Sequence, residues 1–248
     1  MKYLTISSAD RTNSTDGIND FEINLDNMIQ DVVGIESMEV LLYHQWYTVN
    51  TTNNKIYFKV STTTYTATLT TGNYIPSTLV TEIQTQMNSA YTPDNNFTCT
   101  YSSSIGKVTV THSATNFQLM FSTNTTASAR KLLGFNAEDT VAGLTVTSTN
   151  LIDLNCNRNL FLVSRALTND YSLIADNRMR VLLPIPVTTT FGGLIQWRSY
   201  GDKWTTKFTT PQNFQVLDFK LYQEDLTNLV PMNGIDWRIT LRLMEEKD

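Results

Sequence analysis

Two histidines, two cysteines and a scatter of loop carboxylates are the side chains of this chain best suited to chemistry. His44 follows Met38, Val40 and Leu42 at two-residue spacing and precedes Trp46, so it shares one face of an expected strand, Ile35–Val49. It is therefore expected as a neutral, hydrogen-bonded core histidine. His112 ends the run Lys107–His112 and is read as standing on the face away from Val108 and Val110, exposed to solvent. Asp94, Asp139, Asp170 and Asp202 fall in expected loops; two acids held about 5 to 10 Å apart could do glycosidase-type work. Loop acids of this kind are equally the ordinary furniture of a β protein. There is no nucleotide-binding glycine loop, no Gly-x-Ser-x-Gly elbow and no His-Glu-x-x-His pair, so the expectation is that the chain is not an enzyme. Asp16-Gly17 resembles part of a calcium loop, but the ligand spacing of an EF-hand is absent. Cys99 and Cys156 lie far apart with no Cys-x-x-Cys context, which points to free thiols and to no metal site. No cofactor is implied.

Charge and composition narrow the partners. A net charge of −5 with only 17% charged residues disfavours a nucleic-acid surface, which needs clustered Lys and Arg. The best basic groups are Arg178 with Arg180, and Arg198 with Lys203 and Lys207; the solvated face of a sheet accounts for them as well. No apolar run approaches the roughly 20 residues that span a bilayer, so no membrane insertion is expected. The opening MKYLTISSADRT lacks the apolar centre of a secretory signal, and the sequons at Asn13, Asn50, Asn96 and Asn124 are expected to stay bare.

The elements that must carry these side chains are mostly strands. Thr favours strands and Asn favours turns, and the chain is rich in both. One stretch, Gly72–Ala90, has helical periodicity: Pro76 suits the first turn, Ser77 or Thr78 can cap it, and Leu79, Ile83, Met87 and Ala90 share a face with Val80 beside them. A second short helix is expected at Thr126–Leu133, ended by Gly134. With strands at Lys55–Val60, Phe97–Ser102, Lys107–Thr111 and Phe117–Ser122, residues 50–144 form an expected α+β insertion with its own core.

Around the insertion, strands are expected at Phe21–Leu25, Ile35–Val49, Leu144–Asp153, Leu160–Arg165, Met179–Val187, Gly193–Arg198, Phe214–Tyr222 and Ile235–Met244. In the last, Ile235, Trp237, Ile239, Leu241 and Leu243 point inward. Leu217, Phe219 and Leu221 do likewise, with Asp218 and Lys220 outward, and Phe214 and Val216 fall out of phase, which predicts a bulge. Eight such strands, many covered on both faces, suit a single mainly β jelly-roll sandwich made of residues 1–49 and 145–248, with the insertion between its second and third strands.

Six local signatures occur in one order along the chain. They are Ser8-Ala-Asp-Arg-Thr12 with Asn19-Asp-Phe-Glu-Ile-Asn-Leu25; Gly72-Asn-Tyr74 before Leu79-Val-Thr-Glu-Ile-Gln84; Ser128-Ala-Arg-Lys-Leu-Leu-Gly-Phe135; Leu183-Pro-Ile-Pro-Val187 with Phe191-Gly-Gly193; Leu217–Leu221; and Asn233-Gly-Ile-Asp-Trp237. In this the chain resembles the penton, or minor capsid, proteins of virophages, polinton-like viruses and related large DNA viruses of eukaryotic microbes. The resemblance implies a jelly roll that assembles as a homopentamer at the five-fold vertices of an icosahedral capsid, beside a double-jelly-roll major capsid protein. It also implies a place in the virion after assembly in the host cytoplasm, with no catalytic or cofactor residues to carry over. Loop aromatics concentrate contact energy, so Tyr171, Phe191, Tyr200 and Trp204 are the expected subunit-interface residues. The alternative is a viral attachment or carbohydrate-binding module, with a host surface glycan as partner and Tyr74, Tyr91 or Tyr101 stacking on sugar.

Overall fold

The computed structural model describes residues 2–155, 157–168, 172–174, 177–200 and 205–245. In chain order the elements are β1 (Lys2–Ser7), β2 (Asp20–Tyr43), β3 (Lys55–Val60), β4 (Thr63–Thr68), α1 (Pro76–Ala90), β5 (Phe97–Ser102), β6 (Lys107–His112), β7 (Phe117–Leu119), α2 (Arg130–Leu133) and β8 (Thr145–Thr147). There follow β9 (Asn159–Val163), β10 (Ser172–Ile174), β11 (Asn177–Met179), β12 (Val181–Pro186), β13 (Leu194–Arg198), β14 (Thr205–Tyr222) and β15 (Arg238–Glu245). The protein is mainly β, and its strand pairs are antiparallel. They form two compact units, one of Met1–Trp46 with Asn157–Asp248 and one of Tyr47–Cys156.

The first unit is built on a seven-stranded sheet of order β1-β15-β2-β14-β9-β12, with β13 also paired to β2. Here the two strands expected at Phe21–Leu25 and Ile35–Val49 are one continuous strand, β2, that stops at Tyr43. The polar middle, Asp26–Asp31, has no alternation of its own. It is held extended by β14, through Gln212 opposite Val32 and Phe214 opposite Ile29, and Asn213 Oδ1 accepts the Asp31 N–H at 3.0 Å where Asp31 turns to φ 55. Register shifts lie between Lys207 and Val216 of β14, so the bulge read from Phe214 and Val216 is present.

Trp237 sits at the centre of this unit. It is buried, its Nε1–H donates to Ile18 O at 2.8 Å, and its ring packs on Phe21 at 5.7 Å and Phe219 at 6.2 Å. Two of the sequence signatures meet here. Ser8 Oγ accepts the Trp237 N–H at 3.0 Å and donates to Asp236 Oδ1 at 2.7 Å, while the Ser8 N–H donates to Trp237 O at 2.9 Å. Arg11 closes the joint by donating to Ser8 O at 2.8 Å. Ile235, expected inward, is exposed, because β15 begins only at Arg238 and Ile235 lies in the turn before it.

Asp218 was expected to point into solvent and is instead buried beneath the turn that follows β9. Its carboxylate accepts the N–H of Ala166 at 2.8 Å, the N–H of Arg165 at 3.0 Å and Arg165 Nε at 3.2 Å. Burial pulls its pKa up, but these backbone and guanidinium donors outweigh burial and hold the carboxyl below its ordinary value. A depressed carboxylate stabilises the fold above its unfolded pKa and loses that contribution as pH falls through the folded value. Asp218→Asn should therefore cost about 2 kcal/mol at pH 7, with the gap to the parent closing below roughly pH 4. Urea melts of both proteins at pH 7 and pH 3.5 check this; a gap that is constant with pH contradicts it.

In the second unit two three-stranded sheets, β4-β3-β7 and β5-β6-β8, bury one face each in a shared core with α1. Leu79, Val80, Ile83 and Met87 are the buried stripe of α1, as its periodicity predicts. The N-cap is Ile75 rather than Ser77 or Thr78, since Pro76 occupies the first helical position; Thr78 Oγ1 reaches back to accept the Ile75 N–H at 3.2 Å. Asn88 Oδ1 accepts the Phe97 N–H and its Nδ2 donates to Phe97 O, both at 2.9 Å, so the helix satisfies an edge position of β5 as a neighbouring strand would. The third expected strand of the jelly roll, Leu144–Asp153, is the short β8, and it pairs with β6 in this second unit. Its Thr145-Val-Thr147 matches the Thr109-Val-Thr111 alternation of its partner, a complementarity visible only once the two are side by side.

Candidate assembly surfaces

Both histidines make hydrogen bonds within the fold. His44 Nδ1–H donates to Thr189 O at 2.9 Å and its ring stacks on Trp46 at 4.1 Å, which agrees with the core reading. Burial lowers its pKa against the opposing pull of the Thr189 carbonyl, favouring the neutral ring. His112, expected exposed, is 0% exposed. Residues 108, 110 and 112 are two apart and share the inward face of β6, so His112 follows Val108 and Val110 into the core. Its Nδ1 accepts the N–H of Thr115 at 2.9 Å and of Ala114 at 3.3 Å, and Nε2–H donates to Asp94 Oδ1 at 3.0 Å. That tautomer ties the Asp94 loop to the turn at Ala114 and Thr115.

Two of the loop acids, Asp94 and Asp139, are also held by hydrogen bonds. For Asp94, burial raises the pKa but the hydrogen bonds from His112 and Asn96 prevail and lower it. Asp139 accepts the N–H groups of Ser122 at 2.8 Å and Thr123 at 3.1 Å, a turn-capping role. Asp170 and Asp202 lie outside the described residues. Among the described residues no group of three or more His, Cys, Asp or Glu is placed to hold a metal ion. Cys99 is a buried free thiol whose pKa burial pushes up to about 12, and Cys156 lies outside the described residues. Adding reductant should leave the melting temperature unchanged, and Cys99 should resist iodoacetamide until the chain unfolds. A clear drop in melting temperature on reduction would mean that a disulfide is present.

Of the expected basic groups, Arg198 is held in an ion pair with Glu39 at 2.7 Å and Arg180 donates to Arg165 O at 2.8 Å, while Lys203 lies outside the described residues. Hydrogen bonds from Gln196 and then Arg198 lower the Glu39 pKa. Of the sugar-stacking candidates, Tyr91 is buried, and Tyr74 and Tyr101 pack half-buried against the core of the second unit. Tyr74 also donates its hydroxyl to Thr70 O at 2.8 Å.

The aromatic residues expected at subunit contacts divide by position. Tyr171 and Trp204 lie outside the described residues. Phe191 is 38% exposed in the turn before β13 and meets His44 edge-on at 6.3 Å; Tyr200 is 84% exposed just after β13. Between them the first residue of β13, Leu194, is paired with Tyr43 of β2, and both are close to half exposed. Tyr43 and Leu194 were not singled out from sequence. The alternation that places Leu42 and Ile195 inside does turn them outward, but their neighbourhood depends on the β2–β13 pairing. A short strip of exposed apolar side chains, Tyr43 and Leu194 with Phe191 just ahead, thus stands at the start of β13, and the outward Gln196 and Arg198 separate it from Tyr200.

No protein-family model matches the chain, and no curated protein is similar to it in sequence. Among solved structures it is similar in fold to the crystal structure of the selenomethionine-labelled mavirus penton protein, with a TM-score of 0.55 and 10% identity, over 99% of this chain and 100% of that one. The resemblance to penton proteins drawn from the ordered motifs is thus met by a likeness of fold along the whole chain.

Proposed function

We propose that this chain is a structural protein of a virion, a penton or minor capsid subunit whose first unit is a jelly roll that closes into homopentamers at the five-fold vertices of an icosahedral shell. The full-length likeness of fold to the mavirus penton protein carries this reading. The exposed strip at the start of β13, with Phe191 just ahead of it, supplies apolar contact area of the kind a ring interface buries. A closed ring of identical subunits needs two different complementary surfaces, and this strip is offered as one of them. A double-jelly-roll major capsid protein is the neighbour in the shell, and the protein acts without catalysis or cofactor. Native mass measured by light scattering across concentration and salt is the test. Five times the monomer mass supports the proposal; a monomer that stays monomeric even with the major capsid protein overturns it.

A second reading, attachment to a host surface glycan, draws on one observation. Thr98, Thr100, Thr109, Thr111, Thr145 and Thr147 stand together on the outward face of β5-β6-β8, with Thr109 and Thr147 hydroxyls 2.9 Å apart and Thr111 and Thr145 hydroxyls 3.2 Å apart. Glycan-array binding that disappears in Thr109→Val/Thr147→Val supports it, and an array with no binding removes it.

A further inference from the structure

The seven-stranded sheet ends on β1 at one side and on β12 at the other, and the two edges differ chemically. In an antiparallel strand the N–H and C=O of a residue point to the same side, and the side alternates along the chain. Val187 donates its N–H to Arg158 O at 2.8 Å, on the β9 side, so Pro184 and Pro186 face the open side, where a proline has no N–H to give. That edge is depleted of donors. On β1, Ser8 donates toward β15, so Leu4 and Ile6 also turn their backbone groups to β15. Tyr3 and Thr5 then direct both N–H and C=O outward, and Ser7 its N–H, and no described residue takes them up.

We infer that β1 is an acceptor edge for one added strand, an extended, proline-free segment of a different polypeptide that carries an acidic residue opposite Ser7. Main-chain hydrogen bonds would give such a segment its affinity and side chains at alternate positions its specificity. Leu4 is half-buried at the rim of the core, so the added strand presents apolar residues on that face and polar ones beside Thr5 and Ser7. Ser7 is short, and its partner on β15 is the exposed Arg238, whose guanidinium can reach over it to a carboxylate on the added strand. A second copy does not fit the role: its β12 edge lacks donors, and β1 itself, Lys2–Ser7, carries no acidic residue to set opposite Ser7. Lys2, paired to Glu245 at 2.6 Å, guards the start of the edge against indiscriminate pairing. The assignment is independent of the vertex reading and stands or falls by itself.

The test uses the full chain and a dye-labelled peptide copying Arg238–Glu245 with Arg238→Glu and Arg242→Glu, read by fluorescence anisotropy and by residue-resolved amide exchange. Saturable binding is expected, with new protection at Tyr3, Thr5 and Ser7 and none added at Leu4 or Ile6. Thr5→Pro should weaken binding about tenfold or more, with the melting temperature kept because the Thr5 N–H has no partner in the chain. If that variant proves unstable, Arg238→Glu in the protein should weaken the acidic peptide and favour the unaltered Arg238–Glu245 peptide. No saturable binding, binding indifferent to both variants, or protection confined to other strands overturns the inference. So does a chain that dimerises through β1 and is dispersed by Thr5→Pro.

Discussion

Replacing Trp237 with alanine is expected to destabilise the first unit by about 3 to 5 kcal/mol, the range for emptying a buried aromatic site. The side chain is 3% exposed, packs on Phe21 and Phe219, and anchors its indole N–H on Ile18 O at 2.8 Å. The loss would therefore combine a cavity, two broken ring contacts and a carbonyl left without its donor. The backbone joint of Ser8, Asp236 and Arg11 is made by other atoms and would persist, so the variant should fold at low temperature with a shifted midpoint. Trp237→Phe should recover part of the loss by refilling the space without restoring the Ile18 bond. Urea melts followed by near-ultraviolet circular dichroism measure both; coincident midpoints for Trp237→Ala and the parent would contradict the assignment.

The second large effect concerns a charge pair inside the same sheet. Glu36 of β2 lies directly opposite Arg242 of β15, its Oε2 meets Arg242 Nη2, and Glu36 is 4% exposed. Arg242→Met would leave a carboxylate buried without its cation, which costs about 3 to 5 kcal/mol. Removing both charges is a different matter, because the desolvation that the pair overcomes is removed with them. Glu36→Leu with Arg242→Met should therefore come back to within about 1 to 2 kcal/mol of the parent. Chemical denaturation of the two single variants and the double closes the cycle. A double variant that loses as much as the sum of the singles would show that the pair is not the unit of stability there.

Where the hydrophobic pattern is strong, the elements follow from it. The α1 stripe, the inward set Ile239, Leu241 and Leu243, and the phase break at Phe214 and Val216 all stand in the structure as the spacing implies. The elements that escaped are those whose own pattern is weak. Thr63–Thr68 and Thr205–Thr210 are mostly threonine, Lys2–Ser7 is a short edge, and Asp26–Asp31 is polar; each is extended because a partner strand completes its hydrogen bonds. Gly134 shows the opposite case. Its role as a helix terminator was legible, but not that a Cβ there would come within 2.4 Å of Leu151 O and 2.5 Å of Asn150 O.

For the candidate surfaces, residue type identified Phe191 and Tyr200 as exposed loop aromatics, whereas Tyr43 and Leu194 became neighbours through the β2–β13 register. Asp218 makes the same point for a charged group, since its burial is supplied by the turn at Arg165–Ala166, whereas the face of His112 was already set by its two-residue spacing from Val108 and Val110. By itself the sequence determined a mainly β chain with one long amphipathic helix, an absence of recognisable catalytic motifs and an ordered set of motifs resembling penton proteins. Only the tertiary structure decided which strands pair, which edge keeps its donors and which polar groups are buried. Periodicity acts over neighbouring residues and sets a side chain's face, while pairing joins residues as far apart as Lys2 and Leu243.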